Sequence, residues 1–512
     1  MKVIILAAGA GSRMQNGLIH KALLPFRGKA VLSHIIEQFD SNTEFVVTVH
    51  HLAGQLKQYA NHAHSSSNIT WVDVGSLETP RAGPGFSLYK ALQVAQEECL
   101  VVTCDTFFAI PKTIPLSRNW LGIGTVVAEE QASYCNVLID AEDNKIIDVK
   151  DKVAAGKKYF AWTGMMFIKD WQAVICNFEN EIRNPGAELQ CSAGWLNLDW
   201  YALEHEWIDV GTRDRYAKAV SQNQFDYSKP DEFTYVLDEK VIKFFADEES
   251  VAKRVIRQKH DLSDVTPALL KQTKNFLSFD FAKGETFYRV GTPTKFKALL
   301  NWLDDTIWKN PKPLERSVVD AFYFGKTIDR VQNYMIMTPS RYSMVNGIQI
   351  VKHWPQVLDD IERVNPTLFE NAALVNFHGD LQFDNIIVAS DNSFVLIDWR
   401  ESFGKLSTGG DIQYELAKLL SGLTFDFDLV RQNTFSVVEE GTTATISFAR
   451  RTIMQQYEDI LWDFIIAKGY SCEAIDTLRW MIIASMSGVH KEPYATALYY
   501  YSLINFQNYT EE

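Results

Sequence analysis

Several features that would place this chain in a specialised class are absent from its sequence. The six cysteines among 512 residues form no CxxC pair and no zinc-ligand spacing, so we expect neither a disulfide framework nor a structural zinc site. No apolar run is long enough to span a bilayer, and we find no internal repeat or low-complexity tract. The net charge of −14 argues against a nucleic-acid partner, because a surface that binds a phosphate backbone is normally basic.

The chain is 46% hydrophobic and 22% charged, which is typical of a globular protein. We expect the protein to be cytoplasmic. The short apolar N-terminus is expected to form a first strand and not a signal peptide. A chain of 512 residues is longer than domains with a single hydrophobic core usually are, so two or three domains are predicted. We expect small-molecule substrates and no insertion into a membrane, and the composition leaves room for a homo-oligomer.

The first ~220 residues alternate short β-branched strands with helical stretches, a pattern that predicts an α/β domain with a parallel sheet. The predicted elements are the strands Lys2–Leu6, Glu44–Val49, Thr70–Val74 and Leu100–Cys104 and the helices Ala30–Phe39 and Gly85–Glu98. A polar stretch without periodicity, Ser221–Glu232, contains Pro230 and predicts a linker. We therefore predict one domain at 1–222 and a second at 230–512, which opens with a hairpin at Phe233–Phe245.

The first predicted strand runs directly into a glycine-rich basic turn that ends at Arg13. Glycines let a backbone approach phosphates, exposed N–H groups cradle them, and Arg13 adds positive charge. Lys21 is placed to reach the same phosphates, although an ordinary strand–helix turn is the alternative interpretation. Asp105 and Asp209 each follow a short apolar segment, where ligands of open α/β sheets collect, and together they could hold one Mg²⁺.

In this order the motifs resemble those of the sugar-phosphate and phosphocholine-type nucleotidyltransferases over roughly residues 1–220. The resemblance implies a Rossmann-like domain with a mixed, mainly parallel sheet, in which Arg13 and Lys21 are catalytic and Asp105 and Asp209 bind Mg²⁺. It also implies a substrate-phosphate lysine, for which Lys150 and Lys152 both qualify. The nucleotide-binding residues that it implies are Leu6, Ala8, Gly9, Gly11, Ser12, Gly83, Gly85 and Ser87.

A second constellation lies near the other end of the chain, where Asp380 and Asn385 precede a short apolar strand that ends at Asp398. Phosphoryl transfer from ATP needs a base near the acceptor hydroxyl and two metal-binding groups. Asp380 fits the base, and Asn385 and Asp398 fit the metal ligands. An Asn/Asp-rich hairpin turn is the alternative, and His378 is expected to be structural and not a proton carrier.

This segment resembles the aminoglycoside phosphotransferase and choline kinase superfamily over roughly residues 230–512. The resemblance implies a bilobal, protein-kinase-like (α+β) phosphotransferase in which Lys243 contacts the ATP phosphates and Asp411 braces the catalytic loop. Two departures stand out: no glycine-rich loop precedes Lys243, and Asp398-Trp399-Arg400 replaces the usual Asp-Phe-Gly.

Together the two constellations predict a bifunctional enzyme. A kinase would phosphorylate a small hydroxylated metabolite with ATP, and a nucleotidyltransferase would couple that phosphate to a second NTP, with Mg²⁺ in both sites. The resemblance favours CTP and a choline-like amino-alcohol, for surface glycan or lipid head-group synthesis. A sugar kinase joined to a sugar-1-phosphate nucleotidyltransferase is the alternative, as is one active domain beside a non-catalytic sensor or scaffold.

Overall fold

The chain forms two compact units in the computed structural model. The residues that this structure describes are 1–11, 17–75, 81–110, 114–184, 186, 188–220, 231–338 and 341–511. The N-terminal unit contains the described residues of 1–220, 231–246 and 271–278, and the C-terminal unit contains those of 247–270 and 279–511. Most of the predicted linker, residues 221–230, lies outside the described residues.

The N-terminal unit is built on a mixed sheet. Its strands are β1 (Lys2–Leu6), β2 (Pro25–Phe26), β3 (Lys29–Ala30), β4 (Glu44–Val49), β5 (Asn68–Asp73), β6 (Cys99–Thr103), β7 (Thr106–Phe108), β8 (Trp120–Gly124), β9 (Cys135–Ile139), β10 (Ile146–Asp151), β11 (Phe160–Ile168), β12 (Tyr201–Glu204) and β13 (Trp207–Asp209). Its helices are α1 (Val31–Ile36), α2 (Ala53–Ala63), α3 (Pro84–Ala95), α4 (Trp171–Arg183) and α5 (Arg213–Val220). The main sheet has the order β10-β9-β11-β6-β1-β4-β5, with β8 on β11 and β12 on β8.

Strand β1 lies in the middle of this sheet and pairs in parallel with β4 and β6, whereas β11 runs antiparallel to β6. Side chains on both faces of β1 are buried in two hydrophobic clusters, Val3 and Ile5 in one and Ile4 and Leu6 in the other. Because both faces of β1 are covered by hydrophobic side chains, the strand is a continuous apolar run. The four predicted strands are confirmed, two of them with ends shifted by one or two residues.

The predicted hairpin is also confirmed, and it belongs to the N-terminal unit. It consists of β14 (Glu232–Leu237) and β15 (Lys240–Phe245) in a four-stranded sheet of order β14-β15-β17-β16, with β16 at Leu269–Gln272 and β17 at Phe276–Asp280. The Tyr235 hydroxyl donates to the Leu23 carbonyl at 2.6 Å. Ile242, Phe244 and Phe276 are buried in the same cluster as Val3, so these strands extend the core of the N-terminal unit.

His62 on α2 forms a buried polar junction with the same strands. One ring nitrogen lies 2.9 Å from Ser278 Oγ and the other 3.0 Å from Thr273 Oγ1. Lys240 Nζ donates to the carbonyl oxygen of His62 at 2.6 Å. Burial, with the charges of Lys271 and Lys240 as smaller causes, lowers the pKa of His62 to about 4.

The lowered pKa of His62 makes the free energy of unfolding depend on pH. An unfolded imidazole titrates near 6.5, so below that pH the unfolded state binds a proton that the folded state does not until about 4. We expect His62 to remove stability as the pH falls through this window, by up to about 1.4 kcal/mol per pH unit. His62→Gln should flatten this dependence in urea unfolding across the window, whereas the exposed His260→Gln should leave it unchanged.

The C-terminal unit combines small sheets with long buried helices. Its further strands are β18 (Glu285–Thr286), β19 (Lys312–Pro313), β20 (Met344–Val345), β21 (Ile348–Gln349), β22 (Ala373–Val375), β23 (Ile386–Val388), β24 (Phe394–Leu396), β25 (Gly410–Asp411), β26 (Phe435–Glu440) and β27 (Thr443–Phe448). Its helices are α6 (Glu248–Asp261), α7 (Phe287–Val290), α8 (Pro293–Thr306), α9 (Arg316–Asp320), α10 (Lys326–Met337), α11 (Trp354–Val364), α12 (Ile412–Thr424), α13 (Phe427–Arg431), α14 (Thr452–Lys468), α15 (Cys472–Met486) and α16 (Tyr494–Glu511). None of the described helices has the length and hydropathy that a membrane crossing requires.

Helix α12 is the central helix of the C-terminal unit. Every residue from Ile412 to Leu423 is buried, and α14 and α15 pack against it. The antiparallel pair β23–β24 holds the segment that was predicted to carry Asn385 and Asp398. These two features position the side chains of the second candidate site.

Candidate active sites

The glycine turn after β1 lies against the side chain of Lys21. A Cβ added to Gly9 would stand 3.8 Å from Lys21 Nζ, and one added to Gly11 would stand 3.8 Å from Lys21 Cβ. Gly11 has a φ of +66°, which favours glycine. Leu6 and Ala8 are buried at the start of the turn, while the predicted Ser12 and Arg13 lie outside the described residues.

His20 holds the glycine turn in place, although no sequence motif indicates this role. Its Nε2 bonds to the Ala7 carbonyl at 2.9 Å, and its Nδ1 accepts from the Ala22 N–H at 3.1 Å. Burial, followed by the charge of Lys21, lowers the pKa of His20 to about 3. The imidazole therefore stays neutral at ordinary pH and joins the glycine turn to the helical turn Lys21–Leu23.

Two predicted carboxylates converge beside Gly211. A Cβ added to Gly211 would stand 3.0 Å from Asp105 Oδ2 and 3.0 Å from Asp209 Oδ1. Lys21 Nζ lies 2.8 Å from Asp105 Oδ2, so the structure brings Lys21, Asp105 and Asp209 together. Asp105 follows β6 and Asp209 ends β13, and these positions agree with the prediction that carboxylates collect at strand ends.

Asp209 is held by three donors, two of which the sequence did not indicate. Its Oδ1 accepts from the Gly211 N–H at 2.6 Å, and its Oδ2 accepts from the Tyr134 hydroxyl at 2.7 Å and from Arg215 at 2.8 Å. Burial, then the bond to Asp209, raises the pKa of Tyr134, so this phenol remains a donor. Tyr134 and Arg215 therefore fix the carboxylate in one orientation.

Gly83, Gly85 and Ser87 lie at the start of α3, where the backbone passes very close to a neighbouring segment. An added Cβ would stand 2.6 Å from the Leu189 carbonyl oxygen at Gly83 and 2.3 Å from the Gln190 carbonyl oxygen at Gly85. The Ser87 hydroxyl is buried and donates to the Gly83 carbonyl at 3.2 Å. The two glycines are thus required by packing, whatever else this loop contacts.

The two candidate substrate-phosphate lysines have different surroundings. Lys150 on β10 places Nζ 4.6 Å from the centroid of the Tyr159 ring. Lys152 is half exposed, and its Nζ lies 3.4 Å from Glu188 Oε2. The Lys152 N–H donates to the Tyr134 carbonyl at 2.9 Å, which connects Lys152 to the residue that holds Asp209.

A cleft of about 610 Å³ borders the strand that carries Lys150. Its lining includes Asp148 and Asp151 on β10 and the indoles of Trp195 and Trp200. Both indole N–H groups are buried and have no hydrogen-bond partner among the described residues. The volume is within the range of small-molecule sites.

In the C-terminal unit the structure brings Asp380 and Asn385 together. Asn385 Nδ2 donates to the Asp380 carbonyl at 2.9 Å and to Asp380 Oδ2 at 3.2 Å. Lys418 on α12, which the sequence analysis missed, places Nζ 3.0 Å from Asp380 Oδ1. Burial acts to raise the pKa of Asp380, but the ion pair with Lys418 outweighs it and holds this pKa below its usual value. Asp380 is therefore ionised and can accept a proton.

His378 is a structural residue, as predicted. It is fully buried, its Nε2 bonds to the Ile397 carbonyl at 2.9 Å, and its Nδ1 accepts from the Asp380 N–H at 3.3 Å. Burial lowers the pKa of His378 to about 4, so the ring is neutral at ordinary pH. The Asp398 that follows Ile397 has a φ of +60°, a left-handed conformation that is uncommon for non-glycine residues.

The loop that carries Asp380 is braced by Glu415 and not by Asp411. Glu415 Oε2 accepts from the His378 N–H at 3.1 Å, and Oε1 accepts from the Gly379 N–H at 2.6 Å. Asp411 instead accepts from the Ala373 N–H at 2.9 Å and caps α12. Burial raises the pKa of Glu415 to about 7, while its two backbone bonds act in the opposite direction.

Glu415→Gln should impair the C-terminal site by disturbing the loop. The amide nitrogen would face either the His378 or the Gly379 N–H, and a buried N–H without an acceptor costs about 1–3 kcal/mol. We expect ATP-dependent phosphorylation to fall by about 10²-fold through misplacement of Asp380. The exposed Glu362→Gln is the matched control, and equal activity of the two variants would contradict the bracing role.

Lys243 lies at the middle of β15 opposite Thr234, with buried Ile242 and Phe244 as its neighbours along the strand. It belongs to the N-terminal unit, whereas Asp380, Asn385 and Asp398 belong to the C-terminal unit. Its expected contact with ATP phosphates therefore stays a prediction.

Comparison with known proteins identifies the N-terminal part of the chain. Residues 3–139 match the family model of the MobA-like NTP transferase domain. The bifunctional protein GlmU of Paraburkholderia phymatum is 27% identical over 169 residues, which make up 31% of this chain and 35% of that protein. GlmU of Enterococcus faecalis is 31% identical over 162 residues, or 29% of this chain and 33% of that protein. The chain thus spans about a third of the length of the curated relatives that it matches.

Solved structures also resemble this chain in part. A UDP-glucose pyrophosphorylase complexed with UDP-glucose is 16% identical with a TM-score of 0.36, and the match covers 43% of this chain and 96% of that one. A nucleoside-diphosphate-sugar pyrophosphorylase from Vibrio cholerae is 16% identical with a TM-score of 0.35, covering 43% of this chain and 100% of that one. From the family match and the observed mixed sheet, residues 3–139 form an NTP transferase domain of Rossmann-like architecture.

Proposed function

We propose that the protein is a bifunctional enzyme that phosphorylates a small hydroxylated compound with ATP and then couples the phosphate to a nucleotide. The observation that carries the nucleotidyltransferase half is the convergence of Lys21, Asp105 and Asp209 beside the glycine turn. The kinase half rests on Asp380, which bonds to Asn385 through one oxygen and to Lys418 through the other.

In the first site an oxygen of the substrate phosphate attacks the α-phosphorus of the NTP. The bond from this phosphorus to the bridging oxygen breaks, and pyrophosphate leaves with the electron pair. Lys21 donates to the triphosphate oxygens, and the N–H groups of the turn at Gly9 and Gly11 bind them. The protein thus acts by positioning and by neutralising charge. Lys150 or Lys152 holds the substrate phosphate.

The donor sets of both sites fit Mg²⁺, which commonly binds through one or two carboxylates together with substrate phosphates. Asp105 and Asp209 present two carboxylate oxygens to one point. In the other site both bonds of the Asn385 amide use Nδ2, so Oδ1 is left to bind a metal together with Asp398. When bound, Mg²⁺ neutralises phosphate charge in each reaction.

In the second site Asp380 accepts the proton of the acceptor hydroxyl. The acceptor oxygen attacks the γ-phosphorus of ATP, the bond between this phosphorus and the β–γ bridging oxygen breaks, and ADP leaves. The His378 ring and Glu415 keep the loop in place. The phosphorylated product is the nucleophile of the first site.

Two substrate choices accompany this proposal. The family resemblance favours CTP and a choline-like amino-alcohol, whereas a sugar and its 1-phosphate would give an NDP-sugar. ADP release and pyrophosphate release can be assayed separately with ATP, CTP, UTP and GTP against amino-alcohols, sugars and their phosphates. We expect both activities in one preparation. Pyrophosphate release without any ADP release would leave the C-terminal unit as a sensor or scaffold.

A further inference from the structure

Asp380 lies among four cationic side chains. The proposed phosphoryl transfer assigns no role to these four residues together. We call Lys326, Arg330, Arg400 and Lys418 the basic cluster. Lys418 is 8% exposed and contacts the Asp380 carboxylate directly. The other three reach the same region from α10 and from the segment after Asp398.

Two aromatic side chains, Tyr414 and Phe322, contact members of the basic cluster. Lys326 Nζ donates to the Tyr414 hydroxyl at 2.8 Å and lies 4.3 Å from the centroid of the Phe322 ring. The guanidinium carbon of Arg400 lies 5.2 Å from the centroid of the same Phe322 ring. Tyr414 precedes Lys418 by one turn of α12, so Lys326 and Lys418 lie on the same side of this helix.

The remaining contacts connect the basic cluster to the catalytic loop. Arg330 follows Lys326 by one turn of α10, which places both side chains on one face. A Cβ added to Gly379 would stand 2.7 Å from Arg400 Cβ, so Arg400 lies directly against the loop that carries Asp380.

Three members of the basic cluster have no direct counter-ion among the described residues. Among the described residues, no ion pair joins Lys326, Arg330 or Arg400 to a carboxylate, and Arg400 Nε is buried without a hydrogen-bond partner. The nearby Glu401 lies 3.3 Å from a guanidinium nitrogen of Arg254. The side chains of Lys326, Arg330 and Arg400 are partly exposed. Partly desolvated cations without an ion pair are costly, and a bound anion would lower that cost.

Burial and the neighbouring positive charges both act on the pKa values of Lys326 and Arg330. Burial, then the charges of Arg400, Arg330 and Lys418, lowers the pKa of Lys326 well below its usual value. Burial, then the charge of Arg400, also lowers the pKa of Arg330. The carboxylate of Asp380 partly offsets both effects.

The two carboxylate oxygens of Asp380 have different partners. Oδ2 accepts from Asn385, the proposed metal ligand, while Oδ1 pairs with Lys418 of the basic cluster. The basic cluster therefore adjoins the oxygen of Asp380 that does not contact Asn385.

We infer that the acceptor carries an anionic group of its own, a carboxylate or a phosphate ester beside the reacting hydroxyl, and that the basic cluster binds this group. The inference rests on the proposed phosphoryl transfer and names its substrate class. Arginine guanidinium groups suit planar carboxylates and phosphates, whereas a choline-like quaternary amine would meet charges of its own sign.

Matched acceptors test the inference because each series keeps one carbon skeleton and varies one neutral, cationic or anionic substituent. One series is glucose, glucosamine, glucuronate and glucose 6-phosphate; the other is glycerol, serinol, glycerate and glycerol 3-phosphate. With Mg²⁺ and ATP we expect kcat/KM for ADP release to be at least about tenfold higher for the anionic members than for their neutral and cationic counterparts. Comparison of kcat/KM between the carboxylate and the phosphate-ester acceptors shows which anionic group is preferred.

Substitutions in the basic cluster test whether these residues bind the anionic group of the acceptor. Arg400→Gln and Arg330→Gln should each raise the KM for the anionic acceptor about tenfold or more while the KM for ATP stays unchanged. Lys297→Gln, on the exposed surface of α8, is the control and should change neither value. An equal rise in the KM for ATP would assign the basic cluster to the nucleotide and overturn the inference.

Calorimetric titration of glycerate and glycerol 3-phosphate in the presence of Mg²⁺ and ADP separates this inference from the proposed kinase. Binding that Arg400→Gln abolishes, without ADP release from ATP, would support the anion site and contradict the kinase. Phosphorylation that prefers neutral or cationic acceptors would support the kinase and overturn the anion site. Neither binding nor phosphorylation would overturn both.

Discussion

Asp105→Asn should abolish pyrophosphate release while ATP-dependent phosphorylation continues. The substitution removes one of the two carboxylates that converge beside Gly211, and it leaves Lys21 without the partner that lies 2.8 Å away. In the proposed site, loss of a metal ligand and displacement of the triphosphate donor should cost at least about 10³-fold in kcat/KM, or about 4 kcal/mol. The measurement is pyrophosphate release with a supplied phosphorylated substrate.

Asp40→Asn is the matched control for this prediction, because it makes the same change at an exposed position of the N-terminal unit. Circular dichroism and the unfolding midpoint should show that both variants are folded. Retention of pyrophosphate release by Asp105→Asn would mean that Lys21 and Asp105 form a structural ion pair. Loss of both activities in a folded variant would contradict two independent sites.

Asp380→Asn should produce the opposite result. The amide cannot accept the proton of the acceptor hydroxyl, and it removes the counter-charge of Lys418, whose Nζ lies 3.0 Å from Asp380 Oδ1. General-base catalysis typically contributes about 10²–10⁴-fold, so we expect ADP release to fall by about 10³-fold or more. Pyrophosphate release from NTP and a supplied phosphorylated substrate should continue at the unmodified rate.

The exposed Asp359→Asn provides the control in the C-terminal unit. A small effect of Asp380→Asn on kcat, with a large effect on the KM for the acceptor, would make Asp380 a binding residue and not the base. An unchanged rate of ADP release would remove the basis for the kinase half.

Local patterns allowed much of the N-terminal fold to be predicted from the sequence. The apolar run of β1 required a strand covered on both faces, and the glycine turn after it required close approach of Lys21 or of a ligand. The positions of Asp105 and Asp209 at strand ends were sufficient to predict that they meet. The hairpin β14–β15 was predicted as well, but its packing into the core that contains Val3 depends on contacts distant in sequence.

The parts of the sites that the sequence did not indicate come from remote elements. Tyr134 and Arg215 hold Asp209, and Lys418 pairs with Asp380, yet a lone tyrosine, arginine or lysine carries no motif. Asp411 caps α12 and Glu415 lies in its first turn, so spacing alone could not show which of them braces the loop that carries Asp380. Only the hydrogen bonds to His378 and Gly379 assign that role to Glu415.

The central claim is that the phosphate made by one unit is used by the other, and isotope transfer tests it most directly. The unmodified protein is incubated with Mg²⁺, CTP, UTP or GTP, an unphosphorylated acceptor, and ATP carrying ¹⁸O in its γ-phosphate. We predict a nucleotide-linked product by mass spectrometry with the label in the phosphate next to the acceptor and an unlabelled pyrophosphate. A product that forms only from pre-phosphorylated compounds, or that lacks the label, would contradict the claim.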